Sequence, residues 1–284
     1  MRDIASTILV TAISCAAVAQ DRSASGQLID QLEPRSEFVW LNGPQGRIGG
    51  RSYINSDSSD EPLLAIVLHG DLLEPANSYH YGFARTLAAQ VPGVVVVALL
   101  RPGYSDERGN RSDGETLNAT GDNYTAEVVE AVASATSQLQ ERYGPSATVL
   151  IGHSGGGAIA ALVLGRHPDV ADAVLLVACP CDLPAWRAHM MGLRPNPVWQ
   201  QPHQGLSPLT AVSGVRPTAV VELMVGDEDD VVPPQNSHDY AAALRELGVE
   251  ATVTVLPGLG HNILQRPPVI SMAKNLLTRM RTTD

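Results

Sequence analysis

Lysine is almost absent from this sequence of 284 residues, in which Lys274 is the only one. Arginine supplies the rest of the positive charge, and the formal net charge at pH 7 is -11. A surplus of negative charge disfavours nucleic acid and anionic membrane surfaces as partners, so we expect neither. Aromatic residues make up only 4% of the chain, which argues against a long groove that stacks on sugar rings.

The sequence has no apolar run long enough to anchor the mature protein in a membrane. The run Ile4 to Val18 is too short to span a bilayer comfortably. It follows Met1-Arg2 and leads into Ala17-Val18-Ala19, which matches the small-x-small cleavage pattern of secretory signals. We therefore predict a signal peptide over residues 1–19, a secreted or periplasmic bacterial protein, and no stable membrane span after cleavage. Cys15 is a poor match to a lipid-anchor signal.

Cysteine is scarce, and Cys179 and Cys181 are the two that would remain after cleavage of the signal. A bridge across Cys-Pro-Cys closes a very small ring, so we expect two ordinary thiols, with a labile disulfide as the alternative. No other ligand cluster accompanies them. The acidic residues of the 105–122 loop fit no calcium-loop spacing. We predict no metal and no cofactor.

The region 38–284 alternates between apolar strand patterns and helical patterns. Leu63–Leu68 and Val94–Leu100 are continuous apolar runs, which is typical of parallel strands that are buried on both faces. The alternation predicts an α/β protein with a doubly wound, mainly parallel sheet of about eight strands. Residues 20–37 are polar and predict a flexible lead-in. Residues 180–217 are rich in proline and break the alternation, which favours a small lid or cap insertion.

The most informative stretch runs from Thr148 to Ala160, where an apolar run meets Gly-x-Ser-x-Gly and then a helical run of small residues. A serine nucleophile must project from a tight strand-to-helix turn, and this pattern places Ser154 there. Gly152 and Gly156 flank the turn where a Cβ would clash. The backbone N–H of Gly155 begins the helix and faces developing negative charge.

A serine nucleophile needs a base, and the base needs an orienting acid. His261 follows the last predicted strand, and an acidic segment follows the strand that ends at Val225. That segment offers three carboxylates, Asp227, Asp229 and Asp230, and its residues alone leave the choice open.

Together, four segments resemble the α/β-hydrolase superfamily over nearly all of the chain from Phe38. They are His69-Gly70, Gly152 to Gly156, Gly226 to Pro233 and Gly260-His261. The resemblance extends to serine esterases and to prolyl-oligopeptidase-like and dienelactone-hydrolase-like catalytic domains, and no propeller sequence precedes the match.

This resemblance implies a triad of Ser154, Asp229 and His261. It also implies an oxyanion hole made by the backbone N–H groups of Gly155 and of Asp71, with Leu72 as an alternative to Asp71. The Asp71 carboxylate is unusual beside an oxyanion. We therefore predict that it hydrogen-bonds locally and that only its N–H faces the site.

The function implied is that of an exported serine hydrolase that cleaves a small-molecule carboxylic ester through an acyl-enzyme. A small serine peptidase or amidase and a catalytically inactive binding scaffold are the alternatives. Peptidases of this fold usually anchor a substrate amine with paired glutamates, and no such pair occurs in 180–217. Four residues are candidates for the substrate pocket: His153, Trp186, Met190 and Trp199. The last three fit the core of the insertion equally well.

Overall fold

A mainly parallel sheet organises the computed structural model, which describes residues 33–55, 61–71, 78–116, 124–202 and 204–282. The predicted signal peptide lies outside these residues. Within them the sheet has eight strands: β1 (Arg35–Gly43), β2 (Gly46–Ile54), β3 (Leu63–Leu68), β4 (Val94–Leu99), β5 (Ala147–His153), β6 (Ala173–Val177), β7 (Val220–Gly226) and β8 (Glu250–Leu256).

The spatial order of the strands is β1-β2-β4-β3-β5-β6-β7-β8. The hairpin β1–β2 and the pair β2–β4 are antiparallel, and every later neighbour in that order is parallel. This arrangement confirms the predicted fold class. It also brings the carboxyl ends of β3, β4, β5, β7 and β8 to one edge, where open α/β sheets carry their sites.

The sheet separates two hydrophobic cores, and β3 shows how. All six of its residues are fully buried. Leu64, Ile66 and Leu68 face one core, whereas Leu63, Ala65 and Val67 face the other. Side chains alternate across a strand, so a strand covered on both faces must be apolar throughout. This is why the sequence reads as a continuous apolar run.

The described residues form six α-helices: α1 (Tyr79–Gln90), α2 (Ala126–Tyr143), α3 (Gly155–Arg166), α4 (Leu183–Leu193), α5 (Gln235–Glu246) and α6 (Pro267–Arg281). Among these residues, no helix is both long enough and apolar enough to cross a membrane.

Two boundaries differ from the sequence-based expectation. We expected residues 20–37 to be a flexible lead-in, but β1 already begins at Arg35. Helix α2 is capped by Thr125, whose hydroxyl accepts the N–H of Val128 at 3.4 Å. The sequence had predicted Asn123 or Asp122 as the cap, and these two residues lie outside the described residues. A threonine oxygen is a good N-cap acceptor, and this one lies directly before the first helical residue.

The proline-rich segment 180–217 forms helix α4 and two short 3-10 helices, Pro197–Gln200 and Pro208–Gly214. At the start of this segment, Cys179 and Cys181 are joined by a disulfide. From the sequence we had expected two ordinary thiols, with a disulfide as the alternative. Ala178 has a positive φ of 50°, and the N–H of Cys181 donates to the carbonyl of Cys179 at 2.8 Å. This turn brings the two Cα atoms within 5.2 Å, a separation that a disulfide spans readily.

Candidate active site

Ser154 lies at the junction of β5 and α3 with φ 54° and ψ -124°, an unusual conformation for a residue other than glycine. Its N–H donates to the carbonyl of Val177 on the neighbouring strand at 2.8 Å, which holds the turn in place. A Cβ on Gly156 would lie 2.5 Å from the carbonyl oxygen of Leu68, and one on Gly152 would overlap Gly156. The close approach of β3, β5 and α3 therefore requires glycine at both flanking positions, as the sequence predicted.

The structure brings the three predicted triad side chains together. The Ser154 hydroxyl donates to Nε2 of His261 at 2.9 Å, and Nδ1–H of His261 donates to Oδ2 of Asp229 at 2.9 Å. The Asp229 side chain is fully buried, whereas the His261 side chain keeps 15% of its surface exposed. An acid that is shielded from water orients the imidazole, and the exposed edge of the ring remains available to a substrate.

Two backbone N–H groups distinguish Asp229 from its acidic neighbours. Its Oδ1 accepts the N–H of Val231 at 3.0 Å and that of Val232 at 2.8 Å. These bonds fix the carboxylate toward His261 and leave it little freedom. Asp227 instead accepts the N–H of Gly258 at 2.7 Å, and Asp230 is exposed.

Two backbone N–H groups near Ser154, those of Gly155 and Asp71, are suitable for an oxyanion. Gly155 is the first residue of α3, so its N–H has no acceptor within the helix. The N–H of Asp71 has no acceptor in the described part of the chain. Gly70 is unsuitable, because its N–H donates to the Tyr79 hydroxyl at 2.6 Å.

The buried ring of His69 fixes the direction of the Asp71 N–H. Its Nε2 accepts the backbone N–H of Arg101 at 3.1 Å, so its proton is on Nδ1, which donates to the carbonyl of Gly70 at 2.8 Å. Burial, with smaller contributions from His80 and Arg101, lowers the pKa of His69 well below its usual value, which keeps the ring neutral. A trans peptide directs its N–H opposite to its C=O. Holding the Gly70 carbonyl therefore also sets the N–H of the same peptide unit.

We predicted that the Asp71 carboxylate hydrogen-bonds locally, and this prediction is wrong. The carboxylate instead accepts hydrogen bonds from three residues that are distant in the sequence. Oδ1 accepts from Nη1 of Arg101 at 2.7 Å and from the Tyr104 hydroxyl at 3.4 Å, and Oδ2 accepts from the Tyr124 hydroxyl at 2.7 Å. It also packs against Gly155, where any Cβ would overlap it. Its charge is balanced by Arg101, whose side chain is 1% exposed. Burial opposes the charged guanidinium, but Asp71, Tyr104 and Tyr124 together outweigh it and raise the pKa of Arg101.

A hydrogen-bonded chain that sequence reasoning missed links the loops around Ser154. The Tyr79 hydroxyl, which accepts from Gly70, donates to Nδ1 of His153 at 2.8 Å, and Nε2–H of His153 donates to the carbonyl of His261 at 3.0 Å. We call this chain the Tyr79 bridge. Burial, with a smaller contribution from His261, lowers the pKa of His153 to about 4, so the ring is neutral and can accept at Nδ1. The only sequence signal was a tyrosine at the start of a helix after the His69 loop.

The predicted pocket residues do not lie together. His153 lines a cavity of about 270 Å³ with Tyr79, Asn262, Leu264 and Gln265. Trp186 and Met190 are 5% and 4% exposed and belong to the hydrophobic core. Trp186 donates to the carbonyl of Val231 and packs edge-on against Trp199. These contacts favour a packing role for Trp186, Met190 and Trp199 over a substrate pocket shared with His153.

Hydrogen bonds within the loop stabilise the described part of the acidic loop that follows β4. Oδ1 of Asp106 accepts the N–H groups of Arg108 and Asn110, both at 2.9 Å. Among the described residues, no group of three His, Cys, Asp or Glu side chains is arranged to hold a metal ion.

Comparison with known proteins shows the family to which this chain belongs. The model of the prolyl oligopeptidase family matches residues 84–276, which is more than half of the chain. This chain belongs to the prolyl oligopeptidase family. The matched region contains Ser154, Asp229 and His261, and members of this family are serine hydrolases.

Relatives within and around the prolyl oligopeptidase family include both esterases and peptidases. The chain is 27% identical over 247 residues to an acylamino-acid-releasing enzyme of Arabidopsis thaliana, a match that covers 76% of this chain but 30% of that protein. The solved esterase of Pyrobaculum calidifontis has a TM-score of 0.63 at 17% identity, with 97% of this chain and 95% of that one covered. The acylaminoacyl peptidase of Pyrococcus horikoshii has a TM-score of 0.67 at 17% identity, with 90% and 42% covered. These structural likenesses show the fold.

Proposed function

We propose that this protein is an exported serine hydrolase that cleaves carboxylic esters. The observation that carries the proposal is the continuous chain of two 2.9 Å hydrogen bonds from Ser154 through His261 to Asp229. Packing alone does not require a strained serine, a part-exposed histidine and a buried carboxylate in this order. The inactive-scaffold alternative leaves that combination unexplained.

In the proposed reaction, His261 takes the proton of Ser154 as the serine oxygen attacks the acyl carbon. The N–H groups of Gly155 and Asp71 hold the oxyanion. The bond between the acyl carbon and the alcohol oxygen then breaks, and His261 returns the proton to the departing alcohol. Water attacks the acyl-enzyme by the same route and regenerates Ser154. One oxyanion donor is worth about 10²–10³ in kcat.

The balanced charge of Asp71 supports a neutral acyl group. A free carboxylate near the nucleophile would attract a substrate ammonium group, but this one is neutralised by Arg101 and accepts from two tyrosines. The segment 180–217 also contains no glutamate. Both features disfavour recognition of a free amino terminus.

A second candidate is release of an acylated amino acid from a peptide. It is favoured by the family and by the names of the Arabidopsis and Pyrococcus relatives. An acylated amine is uncharged, so the argument from Asp71 does not weigh against it. The chain spans about a third of the length of the Arabidopsis relative, and that protein's activity is therefore only a proposal here.

Export is supported by the signal pattern of residues 1–19 and by the Cys179–Cys181 disulfide. Disulfides persist in oxidising compartments and are rare in the cytosol. Sequencing the amino terminus of the protein recovered from a periplasmic fraction tests this, and the expected first residue is Gln20.

The first test of activity is intact mass after treatment with a fluorophosphonate, for the wild type beside Ser154→Ala. We expect one adduct on the wild type and none on the variant, together with a loss of kcat of about 10⁵–10⁶ in the variant. A folded wild type that takes no adduct would contradict the proposal and favour the binding scaffold.

A second test separates esters from amides. Acetyl esters of simple alcohols are compared with an acetylated alanine amide by kcat/KM. Turnover of the amide at a rate close to that of the esters would favour the peptidase candidate over the esterase.

A further inference from the structure

The cavity beside His153 is lined by Tyr79, His153, Asn262, Leu264 and Gln265 and has a volume of about 270 Å³. None of these five side chains carries a charge at neutral pH, because burial lowers the pKa of His153 to about 4. For comparison, a cavity of about 150 Å³ holds a benzene molecule. This cavity therefore has room for one ring with a short substituent.

The cavity lies beside the two loops that carry Ser154 and His261. His153 directly precedes Ser154, and Asn262 directly follows His261. The rings of His153 and His261 are 5.2 Å apart, and Nε2–H of His153 donates to the His261 carbonyl. In acyl transfer the departing atom must lie within reach of the protonated base. Two residues of the cavity wall, His153 and Asn262, are the chain neighbours of Ser154 and His261, and this adjacency favours the cavity for the leaving group.

The polar atoms of the lining show what the cavity can recognise. The Tyr79 hydroxyl and both nitrogens of His153 are occupied within the protein. Nε2 of Gln265 donates to the carbonyl of Tyr79. The Asn262 amide is exposed and makes no hydrogen bond in the described part of the chain. The walls thus offer ring faces, the Leu264 side chain and one available amide at the rim.

We propose that this cavity is the leaving-group subsite and that it takes an uncharged alcohol about one ring in size. The inference rests on the proposed ester hydrolysis. The ester's acyl–oxygen bond breaks, the alcohol oxygen takes the proton from His261, and the ring of the alcohol lies between Tyr79, His153 and Leu264.

Two isomeric esters separate this subsite from the acyl side. Benzyl acetate carries its ring on the alcohol, methyl phenylacetate carries it on the acyl group, and methyl acetate carries none. Benzyl acetate and methyl acetate form the same acetyl-enzyme, so their kcat/KM values differ only through steps in which the alcohol is still present. We expect benzyl acetate to exceed methyl acetate by at least about tenfold in kcat/KM, and acetylcholine to gain nothing from its cationic alcohol.

Filling the cavity should remove this preference. Asn262→Trp and Gln265→Trp both start from exposed side chains, so neither change disrupts the core. Each is expected to lower kcat/KM for benzyl acetate by about tenfold more than it lowers kcat/KM for methyl acetate. The matched control is Ala188→Trp, also at an exposed position, which lines a different cavity of about 490 Å³ in the insertion. It should leave all three esters unchanged.

The outcomes distinguish this inference from the proposed function. If fluorophosphonate does not label Ser154, both the proposed ester hydrolysis and the leaving-group subsite are wrong. If labelling and hydrolysis of methyl acetate persist but the filling variants affect methyl phenylacetate instead, the cavity binds the acyl group and the inference is wrong. It is equally wrong if neither ring-bearing ester responds.

Discussion

In the Tyr79 bridge, a single hydroxyl group holds two loops in position. The Tyr79 oxygen accepts the N–H of Gly70 at 2.6 Å and donates to Nδ1 of His153 at 2.8 Å. His153 in turn holds the carbonyl of His261 at 3.0 Å. Tyr79→Phe keeps the ring and removes only this oxygen. The change should therefore loosen the oxyanion loop and the histidine loop together.

The cost of Tyr79→Phe follows from the two groups that it leaves unpaired, the Gly70 N–H and Nδ1 of His153. An unsatisfied buried polar group costs about 1–3 kcal/mol. His153 lines the cavity, where water can replace part of the bonding that Nδ1 loses, so the cost of this group lies at the lower end of the range. We expect the free energy of unfolding to fall by about 2–3 kcal/mol. Misplacement of catalytic groups by a fraction of an ångström to an ångström costs up to about 10² in rate, so kcat should fall by about 10–100-fold while KM changes little.

The assay combines urea unfolding at pH 7 with steady-state hydrolysis of methyl acetate. The matched control is Tyr81→Phe on the same helix, whose hydroxyl donates to Asp106 at 3.3 Å and contacts no triad residue. We expect the control to lose at most about 1 kcal/mol and to keep its kcat within about twofold. Equal losses of kcat in the two variants, or an unchanged kcat in Tyr79→Phe, would refute the positioning role.

Two further predictions concern stability. Burial lowers the pKa of His80 to about 3 and that of His153 to about 4, so the unfolded chain binds more protons than the folded one below pH 6.5. The stability that these two neutral histidines contribute is fully present above pH 6.5 and is lost toward pH 4. The free energies of unfolding measured with urea at pH 7 and at pH 5 should therefore differ by about 2 kcal/mol for each histidine, and equal values would contradict this. Asp71→Asn should cost about 3–5 kcal/mol by urea unfolding because it strands the buried Arg101. Glu250→Gln, which breaks an exposed pair, should cost under about 1 kcal/mol, and similar losses would show that Arg101 does not depend on Asp71.

The sequence by itself determined the sheet and the turn that carries Ser154. Both follow from short-range rules, since strands buried on two faces must be apolar throughout and the close approach of strand and helix around Ser154 admits only glycine at Gly152 and Gly156. The order of the motifs also indicated which serine and which histidine would meet. The sheet and the turn depend on side-chain period and backbone sterics, which a sequence displays directly, whereas the order of the motifs was informative through the resemblance to the α/β-hydrolases.

Only the tertiary structure decided which groups pair through space. Asp71 meets Arg101 and Tyr124 at sequence separations of 30 and 53 residues, and Tyr79 meets His153 at 74. No local pattern encodes such contacts, because the partners come from separate strand ends and helix starts that the fold brings to one edge of the sheet. For Asp229, which the resemblance had already indicated among three nearby acids, the structure adds the physical reason: its carboxylate accepts bonds from the N–H groups of Val231 and Val232.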